Sequence, residues 1–380
     1  MSAVSPIEAR KAEALESFRV RGMPHRRFEH WRYSDLRAIL DAGQVAQSGT
    51  AKWQVESVPD GVELFDLAAP AEQAPEWVVR YLGTVGNRPT MKEASLAFAD
   101  GGVALRVTRG RKSAAPMRLQ ISSTGNVRLL LVLEDDASLT LMETHASDAG
   151  LLRNVGVEIV LGSGASLSHV RLAPSAPKSI TVEHIGVTEA RGACYRAHFA
   201  NFGSRLSRTE LHILLQDVGA EAHLSGVMVL GGEGHADVTS HIEHVSGGTR
   251  STQLFKKVAG GKSRAVYQGK ITVREGANGS DSWQTAKALL VGDRAEADLK
   301  PELIIFADDV KCAHGAAVGD LDPESLFYLR SRGIPEREAR RLLVRAFLEE
   351  AVEPIEDGGL RAAVWREVEE ALSRAMVIVR

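Results

Sequence analysis

The chain has 380 residues, with 35 glycines, 20 aromatics (10 Phe, 5 Trp, 5 Tyr), two cysteines and a formal net charge of −3. A hydrophobic share of 44% beside 25% charged residues excludes wholesale disorder, and the near-neutral charge gives no bulk attraction to nucleic acid or anionic lipid. Two cysteines exclude a disulfide framework and a self-contained four-cysteine zinc or cluster site.

The opening residues are rich in Glu, Arg and Lys and lack the apolar core of an export signal. No apolar run approaches the roughly 18–20 residues that a membrane span needs. A cytoplasmic protein with no membrane or nucleic-acid partner is expected.

Ser5-Pro6-Ile7-Glu8 has the pattern of a capping box, with proline at the first helical position. Ala9, Ala12, Leu15 and Phe18 follow at helical spacing, and Gly22 is a stop. From Pro24 to Ser34 basic and aromatic residues interleave, among them His25, Phe28, His30, Trp31 and Tyr33. Such a mixture can stack on single-stranded nucleic acid. Without a basic surplus, these aromatics are read as anchors tying a helical arm to the next unit. Pro59, Pro70, Pro75 and Pro89 interrupt residues 40–94, which read as an irregular connection with short elements. An N-terminal helical region is drawn over 1–94.

From about Ser95 the period changes to short aliphatic runs such as Val127–Leu133 and Val155–Leu161, each followed by a small-residue turn. The turns recur. Ala137, Ala165, Ala193 and Ala220 are spaced 28, 28 and 27 residues apart, and Gly276-Ala277 lies close to two further steps on. A fixed step of this size favours stacked coils that bury their aliphatic faces against one another. His184, His198 and His212 step by 14, half a coil, and are expected at equivalent, solvated strand positions. Of the 35 glycines, 26 fall between Ser95 and Asp320, as a solenoid of short strands and frequent turns requires. The fold class is mainly β, a parallel β-helix over 95–320 flanked by helical regions at both ends.

After Asp320 helix returns. Asp322-Pro323 caps one helix and Pro335 opens another, with Ala339, Leu342, Leu343, Ala346 and Phe347 on one face. Leu360, Val364, Val368 and Leu372 form the stripe of a last helix, so 321–380 reads as a C-terminal helical domain.

Several chemical motifs fail. Gly261-Lys262-Ser263 resembles the end of a phosphate loop, but Lys256 stands where its first glycine belongs. Gly162-Ser163-Gly164 lacks the third glycine of a dinucleotide fingerprint, since Leu167 takes its place. His241 and His244 are three apart in a strand, so their rings face opposite ways. Cys312 and His314 differ: two apart in a strand, they face one side and could converge on one ligand. Asp308 and Asp309 lie just upstream, where they could add oxygen ligands or orient the imidazole. The pair is either half of a metal site that another chain completes, or a buried thiol beside a turn histidine.

The segment from Lys300 to Ala316 (KPELIIFADDVKCAHGA) strongly resembles the signature of the SufD proteins of iron–sulfur cluster assembly, within the SufB/SufD family. The resemblance continues through Leu326-Phe327-Tyr328-Leu329-Arg330-Ser331-Arg332-Gly333-Ile334, and upstream in Tyr267-Gln268-Gly269-Lys270-Ile271 and Trp31-Arg32-Tyr33-Ser34-Asp35-Leu36. It implies a right-handed parallel β-helix and a non-enzymatic scaffold in complex with the paralogue SufB and the ATPase SufC. It further implies that His314 is a metal ligand facing SufB, with Cys312 beside it, where an iron–sulfur cluster forms transiently and is shared. Phe327, Tyr328, Leu329 and Arg330 are the implied docking segment for SufC. A homodimer is the form expected of the chain by itself. The rival readings are SufB itself, which is usually longer and richer in cysteine, and a β-helix polysaccharide-active enzyme, which the missing export signal disfavours.

Overall fold

Strand parity builds the core. In Val127–Leu133, Leu152–Leu161, Ala176–Glu189 and Ser204–Leu215, alternate aliphatic side chains turn to one side and stack on the strand before. Leu129 lies opposite Val157, Val157 opposite Ile185, and Ile185 opposite Leu211, all four buried. Such β-branched and leucine ladders suit parallel strands buried on both faces. The computed structural model describes residues 5–47, 49–113, 115–146 and 152–376. Over them the chain winds as a parallel β-helix.

One sheet holds the strands Ser138–Ala146, Ser166–Ala173, Cys194–Asn201, Glu221–Leu230, Arg250–Ala259, Ser280–Leu290 and Val310–Gly319. The facing sheet holds Leu152–Leu161, Ala176–Glu189, Ser204–Leu215, His235–His244, Arg264–Val273 and Glu296–Ile305. The long strand Met117–Leu133 runs through both, so the ladders are continuous. Two strands lie within 40–94. Thr50–Val55 and Val62–Asp66 pair antiparallel with Met117–Leu133 and Gly101–Val107 and finish the N-terminal end.

The coil step has a backbone cause. Just before six of the seven rungs of the first sheet the chain turns through positive φ, two residues ahead of the strand at Asp136 (58°), Gly164 (67°), Gly192 (63°), Gly219 (74°) and Gly248 (65°) and one residue ahead at Gly279 (74°). Glycine occupies this place because an L side chain resists it. The series therefore continues through Gly248-Thr249 and Gly279-Ser280; Gly276-Ala277 belongs to the turn before. At Gly192 an added methyl would meet nothing within 4 Å, so Gly192→Ala isolates the backbone cost. The expected loss is about 1–2 kcal/mol in urea unfolding, and an unchanged midpoint would refute the turn as the cause.

Helices cover both outer faces. The first, Pro6–Arg21, is capped by Ser5, whose Oγ accepts the Ile7 N–H at 3.3 Å, while Glu8 pairs with Lys11 instead of closing the capping box. Its buried positions are Ile7, Ala14 and Phe18, so only Phe18 of the expected stripe lies inward. Phe18, Trp31, Leu36 and Met91 pack on Ile180, Val182 and Leu206 of the second sheet. Trp31 is the anchor the sequence suggested: it is buried beneath the Arg208 guanidinium, 4.2 Å from the ring centre.

The C-terminal helices Glu336–Val352 and Gly358–Met376 lie on the first sheet, against Val170, Leu172, Val227 and Val229. Leu360, Val364, Val368 and Leu372 are buried as expected. On the preceding helix the inward face is instead Ala339, Val344, Leu348, Ala351 and Val352, leaving Leu342 exposed. This cover explains why His184, His198 and His212 are buried and not solvated. His184 and His212 meet Asn87 of the N-terminal region, and His198 sits beneath the C-terminal helices, near Ala351. Nor do they share a ladder, because His212 pairs with Gly186 and His198 is on the other sheet.

Candidate functional site

Rungs are added until Val310–Gly319, and there the stack stops. That ten-residue strand pairs with Ser280–Leu290 on one edge, and no described strand takes its other edge. Glu296–Ile305 likewise closes the second sheet with one neighbour, Arg264–Val273. The result is an open end with two unpaired edges, rimmed by the exposed side chains of Trp283, Ile305, Phe306 and Val318. Unpaired strand edges beside exposed apolar side chains are a template for another chain.

Cys312 and His314 lie on this last rung. Cys312 stands opposite Ser282 and His314 opposite Gln284, both of which are buried and belong to the interior parity. The pair therefore continues the interior ladder at the point where no further rung covers it. Cys312 packs beside Ile271, Val273 and Leu303. Burial, helped by Asp281, pushes its thiol above the ordinary value. His314 is exposed.

Behind them the interior turns polar. Gln284 donates from Nε2 to the Tyr267 hydroxyl at 2.9 Å, and Tyr267 donates to Gln253 at 3.1 Å. Ser282 and Ser251 hydroxyls lie 2.6 Å apart, and His244 is bonded to Ser251 and Thr249. His244 points inward and His241 outward, as their spacing required. Asp308 and Asp309 do not join the pair. Asp309 uses its carbonyl to accept the Gly279 N–H at 2.7 Å, and among the described residues no set of three donor atoms within 4.8 Å includes Cys312 or His314. This chain offers two ligands, too few for a closed metal or cluster site.

The sequence matches the family model "SUF system FeS cluster assembly, SufBD core domain" over residues 119–347. It is 30% identical over 371 residues to the iron-sulfur cluster assembly protein SufD of Escherichia coli, covering 90% of this chain and 88% of that one. The chain belongs to the SufBD family. An iron-sulfur cluster assembly SufBD family protein of Synechocystis is 26% identical, covering 90% of this chain and 86% of that protein. The SufD of Bacillus subtilis is 26% identical, covering 79% and 72%. The SufBD core match takes in nearly all the coils, the open rung and the helix Pro323–Ser331.

On that helix, Phe327 and Tyr328 are 73% and 56% exposed, with Arg330 exposed and Leu329 half-buried. No residue of the helix is buried, so its apolar side chains are not spent on this SufBD chain's own core. No helix among the described residues is long and apolar enough to cross a membrane.

Motif reading missed a second polar feature. Glu143 and His145 continue the inward parity of Leu139 and Leu141, and His169 and Arg171 that of Leu167. Arg171 donates from Nε to Glu143 at 3.1 Å and from a terminal nitrogen to Glu183 at 2.6 Å; His169 lies 2.9 Å from the second Glu143 oxygen. Charged residues on an otherwise aliphatic parity were the available signal.

Proposed function

We propose that this chain is the SufD-type scaffold subunit of an iron–sulfur cluster assembly complex. Through its open rung it pairs with SufB, and through Phe327, Tyr328, Leu329 and Arg330 it docks the ATPase SufC. The observation that carries the reading is the last rung: a cysteine and a histidine on interior parity, at an unpaired edge, with no third ligand among the described residues. A pair so placed needs a partner to complete any cluster site. The relatives named SufD that run along most of the chain favour SufD over SufB.

In this role the chain performs no reaction alone. The cluster is cargo, held between chains, with His314 giving a nitrogen ligand from this side and Cys312 standing beside it. SufC supplies ATP hydrolysis, and movement of the docked helices is transmitted to the β-helix on which they lie.

The test is co-expression with the cognate SufB and SufC. His314→Ala is expected to leave the complex assembled while cluster formation, followed by visible absorbance, falls about 10–100-fold. Phe327→Asp is expected to release SufC and keep SufB. Full cluster assembly by the His314→Ala complex would remove the ligand role, and a chain that retained neither partner would remove the scaffold role.

A further inference from the structure

Away from the open rung, the described residues contain two places where three donor atoms of His, Cys or Glu lie within 4.8 Å of one another. They differ in what their imidazoles can do. In the first, the Asn87 N–H donates to His212 Nδ1 at 2.8 Å. That nitrogen must keep its lone pair, so the neutral ring carries its proton on Nε2, the atom 2.7 Å from Glu243 Oε1. A metal at Nε2 would find a proton already there. Arg274 holds the other Glu243 oxygen, at 2.9 Å from its Nε, and His241 Nε2 is matched to Thr272 at 2.9 Å. His212, His241 and Glu243 are a closed hydrogen-bond network.

The second cluster is open in the respect that matters. Cys194 and Glu221 are opposite one another on adjacent strands, and His223 is two residues along from Glu221, on the same face. His223 Nδ1 lies 2.9 Å from the Thr252 hydroxyl, which can accept a proton as readily as donate one. In the unloaded chain Nε2–H donates to Glu221 Oε2 at 3.2 Å; moving the proton to Nδ1, where Thr252 accepts it, frees an Nε2 lone pair into the same gap. A ligating histidine is usually fixed by giving its other ring N–H to an acceptor behind it, the place the Thr252 hydroxyl takes here. Arg250, one rung on, holds the other Glu221 oxygen from 3.5 Å. All three residues are half-buried, so an ion can reach them.

We propose that Cys194, Glu221 and His223 form a mononuclear site for a zinc-class divalent cation. Thiolate, imidazole and carboxylate are the donors such a borderline-soft ion takes, and three of them leave a fourth position free. His223 and Thr252 also line a groove of about 250 Å³ between the sheet and the Pro354–Asp357 turn, with Arg196 beside His223 on the neighbouring strand and Leu360 across from them. A small anionic ligand entering that groove would meet the ion and Arg196 together. The site shares no residue with the open rung, and its success or failure is separate from the scaffold role.

The experiment is a titration of the purified full chain with Co2+, followed by the thiolate-to-cobalt absorption band, with Zn2+ added in competition. The expected result is one band at 1:1 stoichiometry that Zn2+ quenches. Cys194→Ser abolishes it, and Cys312→Ser and His212→Ala leave it unchanged. Thr252→Val, which removes only the support behind His223, is expected to weaken binding about 10-fold. Should Cys194→Ser not fold, His223→Gln carries the test and must weaken binding by at least about 10-fold. No thiolate band, a band surviving in Cys194→Ser or His223→Gln, or one lost in Cys312→Ser overturns the proposal.

Discussion

Arg171→Met is expected to destabilise the chain by about 3–5 kcal/mol, the range for removing one partner of a buried ionic cluster. The guanidinium is buried and bonds both Glu143 and Glu183, so its loss leaves two carboxylates facing an aliphatic interior. The pH dependence supplies a sharper signature. Burial would raise the Glu183 carboxyl, but Arg171, then His145 and Arg153, bring it down to about 2 from an ordinary 4.5. A depressed carboxylate contributes stability that is full above about 4.5 and lost as pH falls toward 2. Without Arg171 burial wins. The carboxyls then rise, and acidification from neutral pH should stabilise the variant relative to the parent. Urea midpoints at pH 7 and 4.5 test both points. A loss under about 1 kcal/mol at pH 7, or parallel pH profiles, would show that the cluster is not held by this arginine.

Lys257→Met should act in the other direction. The Lys257 ammonium is buried with no hydrogen-bond partner among the described residues, 4.7 Å from the Tyr267 ring centre and 5.6 Å from that of Phe255. Burial lowers its pKa to about 7, against a weak counter-pull from Asp237. Between pH 7 and about 10.5 the unfolded chain binds the proton and the folded chain does not, so stability rises with pH across that window. At pH 7 the mismatch costs the fold roughly 4 kcal/mol, at about 1.4 kcal/mol per pKa unit. Methionine keeps the length and rests on both rings, so a gain of about 2–4 kcal/mol at neutral pH is expected. The gain should shrink toward pH 10. A variant no more stable than its parent at pH 7 would mean that the lysine has found a partner.

Much of this architecture was legible because it rests on local backbone rules. A turn that demands positive φ at most coils writes glycine into the sequence at a nearly fixed step, and strand parity then places Cys312 and His314 together. What escaped depended on residues far apart in sequence. Parity says that Glu143 points inward but not that Arg171 and Glu183 wait on other strands. The helix Glu336–Val352 has two plausible apolar stripes, and only the sheet beneath it selects Val344 and Leu348 over Leu342. The burial of His184, His198 and His212 required knowing that both outer faces are roofed. For Thr50–Val55, alternating exposure replaces the continuous aliphatic run of the interior strands, and four nearby prolines obscured it.

The two ends of the solenoid are unlike. At the N-terminal end the strands reverse direction and shorten, and Ala51, Trp53 and Val55 turn inward to plug the interior, while Lys52 points out. A charged outward side chain on a short terminal strand discourages further pairing. Among the described residues, only the C-terminal end presents a full-length, unplugged rung. The molecule therefore has a valence of one. A second β-helix with a similar end can join it there, and the pair then has no free rung left to offer. Association by this route stops at two solenoids and cannot propagate into a fibre, which is what a protein must ensure if it displays ten residues of bare strand.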